Sequence, residues 1–278
     1  MNYINRKDYL VGVFSDTVRR IDFGGNLTDV IAKSTASQQY YIGDSLNVVL
    51  DRKNETEVVV TQLRTFEAAA KHIGLKTAVL NFASATTPGG GVEKGASAQE
   101  ECLCRVSTLY PCLKSKKAWD LFYHPHRIQE NPLHNNDVIY TPNVVVFKDD
   151  DYNLLQDWFT VNVITCAAPN LREKPSNSYN KHDGEHVSIT DQELLELHKS
   201  RARKILSVAA ENNNEVVVLG AFGCGVFMNP PTVVATAYKL VLPEFKGVFK
   251  IVEFAVYCPT SDKRNYEAFK MLKTLKMN

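Results

Sequence analysis

The sequence predicts an α/β protein, a three-layer α/β/α domain with a mixed central sheet and a helical N-terminal extension. Three observations predict it. From about residue 57 onward, short apolar runs of strand length alternate with amphipathic segments of helical period. Two of those runs, 76–82 and 215–219, are continuous enough for strands buried on both faces, and each leads into a glycine-bearing loop. Residues 1–45 read instead as helical decoration packed on a core of 46–278, so that 1–278 forms a single domain.

The elements follow in order. Residues 57–60 (Glu-Val-Val-Val) start a strand, and 62–72 read as a helix stopped by Gly74. The strand 76–82 precedes Pro88-Gly89-Gly90-Gly91, and residues 98–113 look helical. Two strand-like runs, 138–140 and 144–147, are split by Thr141-Pro142-Asn143, and 161–165 is a further strand. Residues 170–187, rich in Pro, Ser, Asn and Lys, read as a long loop. Thr190 and Glu193 form a capping box for a helix with Leu194, Leu197, Ile205, Val208 and Ala209 on one stripe, ended by Asn212-Asn213-Asn214. The strand 215–219 opens into the loop 220–229. Pro230 and Pro231 suit the first turn of the next helix. A last strand, 248–256, and a terminal helix, 262–275, complete the pattern.

In such sheets ligands sit beyond the carboxyl ends of the strands, where these two glycine loops gather. Glycines leave backbone bare, so a ligand can approach main-chain N–H groups, and loop N–H groups favour phosphate oxygens. After a seven-residue spacer, 92–98, come Gln99-Glu100-Glu101. Alone, such a triplet is an ordinary helix start, since acids are welcome in a first turn. Beside the glycine loop it supplies acid chemistry next to a phosphate cradle. No Gly-Lys-Ser/Thr follows the glycines, and the dinucleotide-fold spacing is missing, so kinase and dehydrogenase readings fall.

The residues Asn81-Phe82-Ala83-Ser84-Ala85 and Pro88-Gly89-Gly90-Gly91, with Gln99-Glu100-Glu101 and the following 102–110, resemble the signature of poly(ADP-ribose) glycohydrolases. The stretches 144–150, 164–170 and 220–227 are similar to the smaller, bacterial-type branch. The resemblance covers about 10–270 and implies a macrodomain-like fold that binds ADP-ribose. It implies Glu101 as catalytic acid, Glu100 as the group orienting ribose hydroxyls, and Gln99 as support. Asn81 and Ala83 join the implied substrate-binding set. Gly89, Gly90 and Gly91, with Gly223, Cys224, Gly225, Val226 and Phe227, become two diphosphate-facing loops, Phe227 packing near the distal ribose. Val92 departs from the bulkier aromatic expected there, which bears on the loop wall.

Glycoside cleavage commonly places two carboxyls across the sugar, ~5–9.5 Å apart. Neighbouring helix residues project about 100° apart and do not flank one anomeric carbon. One carboxyl transferring the proton while the other binds hydroxyls therefore suits Glu100 and Glu101 better. Protonation is in tension: a helix N-terminus favours carboxylate, whereas adjacent acids and burial favour the neutral acid.

The expected activity is hydrolysis of ribose–ribose bonds of poly(ADP-ribose), releasing ADP-ribose mainly from chain ends. The alternatives are a macrodomain that only binds ADP-ribose and a hydrolase of mono-ADP-ribosyl links on protein or nucleic acid. No cofactor and no metal is expected. His124, His126 and His134 read as a loop set, His182 and His186 flank a helix-breaking Gly184, and Cys102 and Cys104 lack zinc-knuckle partners. Asp149-Asp150-Asp151 reads as a solvated turn, and Tyr257 as either an adenine-stacking or an ordinary tyrosine.

Composition sets the bounds. Apolar residues at 44% and charged residues at 23% exclude wholesale disorder. A net charge of +1 excludes polyanion binding by a basic face, so recognition of a nucleotide polymer must be local. The expected partners are poly(ADP-ribose), ADP-ribose and ADP-ribosylated proteins, with no membrane contact, and the expected state is a monomer. The charged first nine residues carry no apolar signal segment, and six cysteines, several in apolar runs, suit a reducing, cytoplasmic compartment or, in a eukaryote, a nuclear one.

Overall fold

The computed structural model describes residues 5–23, 27–44, 46 and 48–275. Its strands are β1 (Gln39–Tyr41), β2 (Glu57–Thr61), β3 (Thr77–Phe82), β4 (Val138–Lys148), β5 (Leu154–Cys166), β6 (Val216–Leu219) and β7 (Ile251–Ala255). They form one mixed sheet in the order β1-β4-β5-β3-β6-β7-β2. The strands from β5 to β2 run parallel, whereas β4 is antiparallel to both β1 and β5.

Helices cover both faces. The period of two in a strand sends Ala78, Leu80, Val217 and Leu219 to one face and Val79, Val216 and Val218 to the other. The first face packs on α8 (Asp191–Glu211), α9 (Pro231–Val241) and α10 (Arg264–Phe269). The second packs on α1 (Arg6–Phe23), α3 (Thr65–Ala69), α4 (Gln99–Val106) and α5 (Leu109–Leu113). A short helix α6 (Lys116–Ala118) passes through a π-helical turn into α7 (His124–Gln129) beside that layer, and α2 (Leu27–Ala36) packs on β4. Among the described residues no helix is long and apolar enough to cross a membrane.

The N-terminal segment is not purely helical: after α1 and α2, β1 adds an edge strand to the sheet. Helix α1 is tied to the core through Arg105, fully buried, whose Nε donates to Leu10 O at 3.3 Å while its guanidinium also reaches Ala96 O. Lys148, buried at the end of β4, bonds Thr17 Oγ1 at 2.7 Å and pairs with Asp16 at 2.9 Å.

Several predicted elements come out differently: the strand expected at 161–165 begins already at Leu154, the last strand is only Ile251–Ala255, and the terminal helix is Arg264–Phe269 followed by a 3-10 turn. The run 98–113 is two helices, because the Ser107 hydroxyl donates back to Leu103 O and Thr108 exchanges hydrogen bonds with Val145 on β4. The split at 141–143 does not end a strand. β4 continues through it with a register shift, Asn143 adopting φ 56° where Pro142 cannot donate to the ladder. The helix expected at 62–72 begins only at Thr65. The capping box forms as predicted: Thr190 N–H donates to Glu193 Oε2 at 2.9 Å, and Glu193 N–H returns to Thr190 Oγ1 at 3.3 Å.

Candidate active site

Strand β3 ends at Asn81 and Phe82, and the chain folds back through the glycine loop so that α4 begins directly beside that strand end. Gln99 staples the two together. Its carbonyl oxygen accepts Phe82 N–H at 2.8 Å, and its amide donates to Leu80 O at 2.8 Å and Thr65 Oγ1 at 3.0 Å. These contacts fix the start of α4 against the end of β3.

The next two residues point inward, and both are buried. Glu100 Oε1 accepts from the Asn81 amide at 3.2 Å, and its Oε2 from Ser84 N–H at 2.8 Å. Glu101 Oε1 accepts Gly91 N–H at 2.8 Å, and its Oε2 is buried with no partner among the described residues. Asn81 Oδ1 is likewise buried and unpartnered. Burial, reinforced by the Glu101 charge, pushes the Glu100 carboxyl up to about 8. Burial raises Glu101 as well, against the Gly91 N–H and Arg105.

The glycines do a different job from the one expected of a bare cradle. Gly90 N–H donates to Thr87 O, Gly91 N–H to Glu101 and Val92 N–H to Gly89 O, so these donors face the protein. What requires glycine is contact. A β-carbon on Gly90, at φ 56°, would lie 2.5 Å from Glu101 Oε1 and 3.2 Å from Glu100 Oε2. One on Gly91 would lie 2.3 Å from Cδ1 of Tyr179, and Gly89 packs on the Tyr110 ring. Val92 is fully buried in the core with Phe14 and Leu103, so its departure from the family pattern falls in the packing rather than the loop wall.

The loop after β6 supplies the outward donors. Among the described residues, the N–H groups of Gly223, Gly225, Val226 and Phe227 have no hydrogen-bond acceptor. Asn229, which no sequence pattern marked, holds the loop in shape. Its amide donates to Pro169 O at 2.7 Å, Gly223 O at 3.0 Å and Phe227 O at 3.3 Å. Its Oδ1 faces His198 Nε2 at 2.8 Å. Burial lowers His198 to about 4, so the ring is neutral and donates from Nε2. The half-buried Cys224 thiol reaches only Phe222 O, and the Phe227 ring lies 6.0 Å from that of His134. Ala83 is buried with its N–H on Cys166 O.

The remaining candidates lie apart from this chemistry. His134 is held between Ala168 O and Asp183, and His126 bonds Phe122 O. Among the described residues no three His, Cys, Asp or Glu side chains gather as a metal site. Asp149 accepts the N–H groups of Asp151 and Asn153 in the turn between β4 and β5. Tyr257 is exposed, with the Arg64 guanidinium 4.6 Å from its ring centre.

A mixed α/β/α sheet with a buried glutamate pair at one strand end and a donor-bearing glycine loop at another defines the macrodomain-like glycohydrolase class. Comparison with known proteins agrees. Residues 14–149 match the family model of the microbial-type poly(ADP-ribose) glycohydrolase (PARG) catalytic domain. The structure is similar to poly(ADP-ribose) glycohydrolase from Thermomonospora curvata, at 31% identity and a TM-score of 0.81, covering 95% of this chain and 98% of that one. The same enzyme bound to the inhibitor ADP-HPD matches at 33% identity, a TM-score of 0.81 and the same coverage. The Deinococcus radiodurans poly(ADP-ribose) glycohydrolase in complex with ADP-ribose matches at 33% identity and a TM-score of 0.73, covering 87% and 96% of the two chains. A sequence comparison with curated proteins gives no match. The chain belongs to the microbial-type poly(ADP-ribose) glycohydrolase family.

Proposed function

We propose that this chain hydrolyses the ribose–ribose O-glycosidic bonds of poly(ADP-ribose) and releases ADP-ribose, mainly from chain ends, with Glu101 as general acid and base. The observation that carries the reading is Glu101 itself. One carboxyl oxygen is held by Gly91 N–H, and the other is buried without a protein partner among the described residues. That oxygen is free to exchange a proton with substrate, and burial favours the neutral acid against the pull of the helix N-terminus.

Glu101 gives its proton to the departing ribose oxygen as the bond to the anomeric carbon breaks, leaving a carboxylate and an oxocarbenium-like sugar. Water then attacks that carbon and returns a proton to Glu101. Glu100 and Asn81 Oδ1 take the ribose hydroxyls, beside Ala83, while Gly223, Gly225, Val226 and Phe227 receive the diphosphate on their N–H groups and Cys224, whose own N–H is spent on Ala221 O, lines the loop between them. Both carboxyls converge on Gly90, which supports one proton-transfer group rather than a pair opposed across the sugar.

The 170–187 loop folded onto the glycine loop supports a closed ribose pocket and hence action at chain ends. ADP-ribosylated proteins are the carriers of the substrate, the working unit is a monomer, and six free thiols support a reducing, cytoplasmic setting. The test is polymer of defined length, with products separated over time. Free ADP-ribose from the outset with gradual shortening is expected. Binding without release would make the protein a binding module, and activity only on singly modified protein would make it a mono-ADP-ribosyl hydrolase.

A further inference from the structure

We propose that the loop 170–187 is the arm that positions both glutamates, with Asn180 acting on Glu100 through Ser84 and Tyr179 acting on Glu101 through Gly91. The proposal rests on the roles given to those glutamates above.

The Asn180 path is a chain of buried hydrogen bonds. Asn180 Oδ1 accepts the Ser84 hydroxyl at 2.8 Å, and both residues are buried. With its proton so directed, the Ser84 oxygen accepts Thr87 N–H at 3.1 Å and Thr86 N–H at 3.4 Å. Ser84 N–H donates to Glu100 Oε2 at 2.8 Å, and Thr87 O accepts Gly90 N–H at 2.9 Å. One acceptor atom on Asn180 therefore sets the Ser84 rotor, and with it the turn that joins the end of β3 to Gly90.

The Tyr179 path is a packing contact. The ring fills the space beside Gly91, whose N–H holds Glu101 Oε1. Glycine has no side chain of its own to restrain it, so the neighbouring ring is what limits where that N–H points. The Tyr179 hydroxyl is not part of this path: it accepts from exposed Lys7 at 3.2 Å.

The arm is itself fixed. Asp183, buried, takes His134 Nε2 at 3.0 Å on one oxygen and the Asn170 amide at 2.5 Å on the other. Asn177 Oδ1 accepts the N–H groups of Tyr179 at 2.9 Å and Asn180 at 3.2 Å. A segment that merely joined β5 to α8 would need neither a buried asparagine under the Glu100 turn nor a ring against the Glu101 donor.

The test compares Asn180→Ala, Tyr179→Ala and Tyr179→Phe with wild type in the full chain, on polymer of defined length. The readouts are kcat, KM and the pH profile of kcat, with circular dichroism confirming folding. In both alanine variants kcat is expected to fall roughly tenfold or more, because small misplacements of reacting groups are costly. KM stays within about threefold, since the loss lies in the transition state. The limb of the profile governed by the glutamate pair moves to lower pH as water enters beside Glu100. Tyr179→Phe keeps the ring and therefore keeps near-wild-type turnover. Folded alanine variants with wild-type kcat and profile would overturn the proposal, as would a loss that Tyr179→Phe shares. Should Asn180→Ala not fold, Ser84→Ala cuts its path by removing one hydroxyl. Should Tyr179→Ala not fold, Tyr179→Leu removes the aromatic ring beside Gly91 while keeping an apolar side chain. A wild-type kcat and profile in the substitute overturns that half of the proposal equally. Wild-type protein inactive on polymer would instead sink the functional reading.

Discussion

Gly90 and Glu101 are in contact closure: a single β-carbon at position 90 would sit 2.5 Å from Glu101 Oε1. The left-handed φ of 56° compounds the steric demand. Gly90→Ala must therefore displace the Glu101 carboxyl, the group proposed to exchange the proton. A kcat loss on the order of 10² is expected from such misplacement. The backbone conformation alone costs about 1–3 kcal/mol for a residue with a side chain. Polymer turnover and thermal unfolding of the variant check both, and near-wild-type kcat would refute the contact's importance.

Asn229 acts on the other half of the site. Removing its amide leaves Pro169 O, Gly223 O and Phe227 O without that donor and releases the loop carrying the free N–H groups. Gly223 O and Phe227 O keep backbone donors in Asn229 N–H and Leu171 N–H, but Pro169 O is left unsatisfied. Such a group costs about 1–3 kcal/mol, so Asn229→Ala is expected to weaken ADP-ribose binding roughly tenfold. Titration calorimetry with ADP-ribose measures it directly.

Gln99 divides stability from ligand binding. Since its side chain contacts Phe82 N–H, Leu80 O and Thr65, Gln99→Ala is expected to destabilise the fold by about 1–3 kcal/mol. ADP-ribose affinity of the folded variant should change much less than its denaturation midpoint. A large affinity loss at unchanged stability would make Gln99 a ligand contact instead.

The Glu100 carboxyl couples stability to pH. Burial first, then Glu101, raises it to about 8 in the folded protein from an ordinary value near 4.5. Between those values the folded state binds the extra proton, so this contribution is fully present below about 4.5 and is lost as pH rises through 8. Thermal unfolding of wild type should show that decline, and Glu100→Gln, which cannot ionise, should flatten it. A Glu100→Gln protein with the same slope would contradict the assignment.

Much of this was legible in the sequence, for physical reasons. The strands 76–82 and 215–219 are apolar on both faces and needed no tertiary information, and Thr190 with Glu193 states its own helix start. Ser107 did not reveal the break after α4, because the pairing of Thr108 with Val145 that draws the chain away is 37 residues distant. Nor did Pro142 reveal that β4 continues, since the register shift lies in its pairing with β5. The glutamates were visible through their spacing from the glycines. The inward direction of the Gly91 N–H was not, because it depends on Glu101 reaching back across the loop. Tyr179, Asn180 and Asn229 are single polar or aromatic residues in loops, and only the fold gives them partners.

The central claim is that Glu101 moves the proton. The most direct measurement is release of free ADP-ribose from defined polymer by Glu101→Gln beside wild type, with ADP-ribose binding measured on both. General acid–base catalysis contributes about 10²–10⁴ in rate, so turnover is expected to fall by at least ~10² while ADP-ribose binding persists. Near-wild-type release by Glu101→Gln would contradict the account.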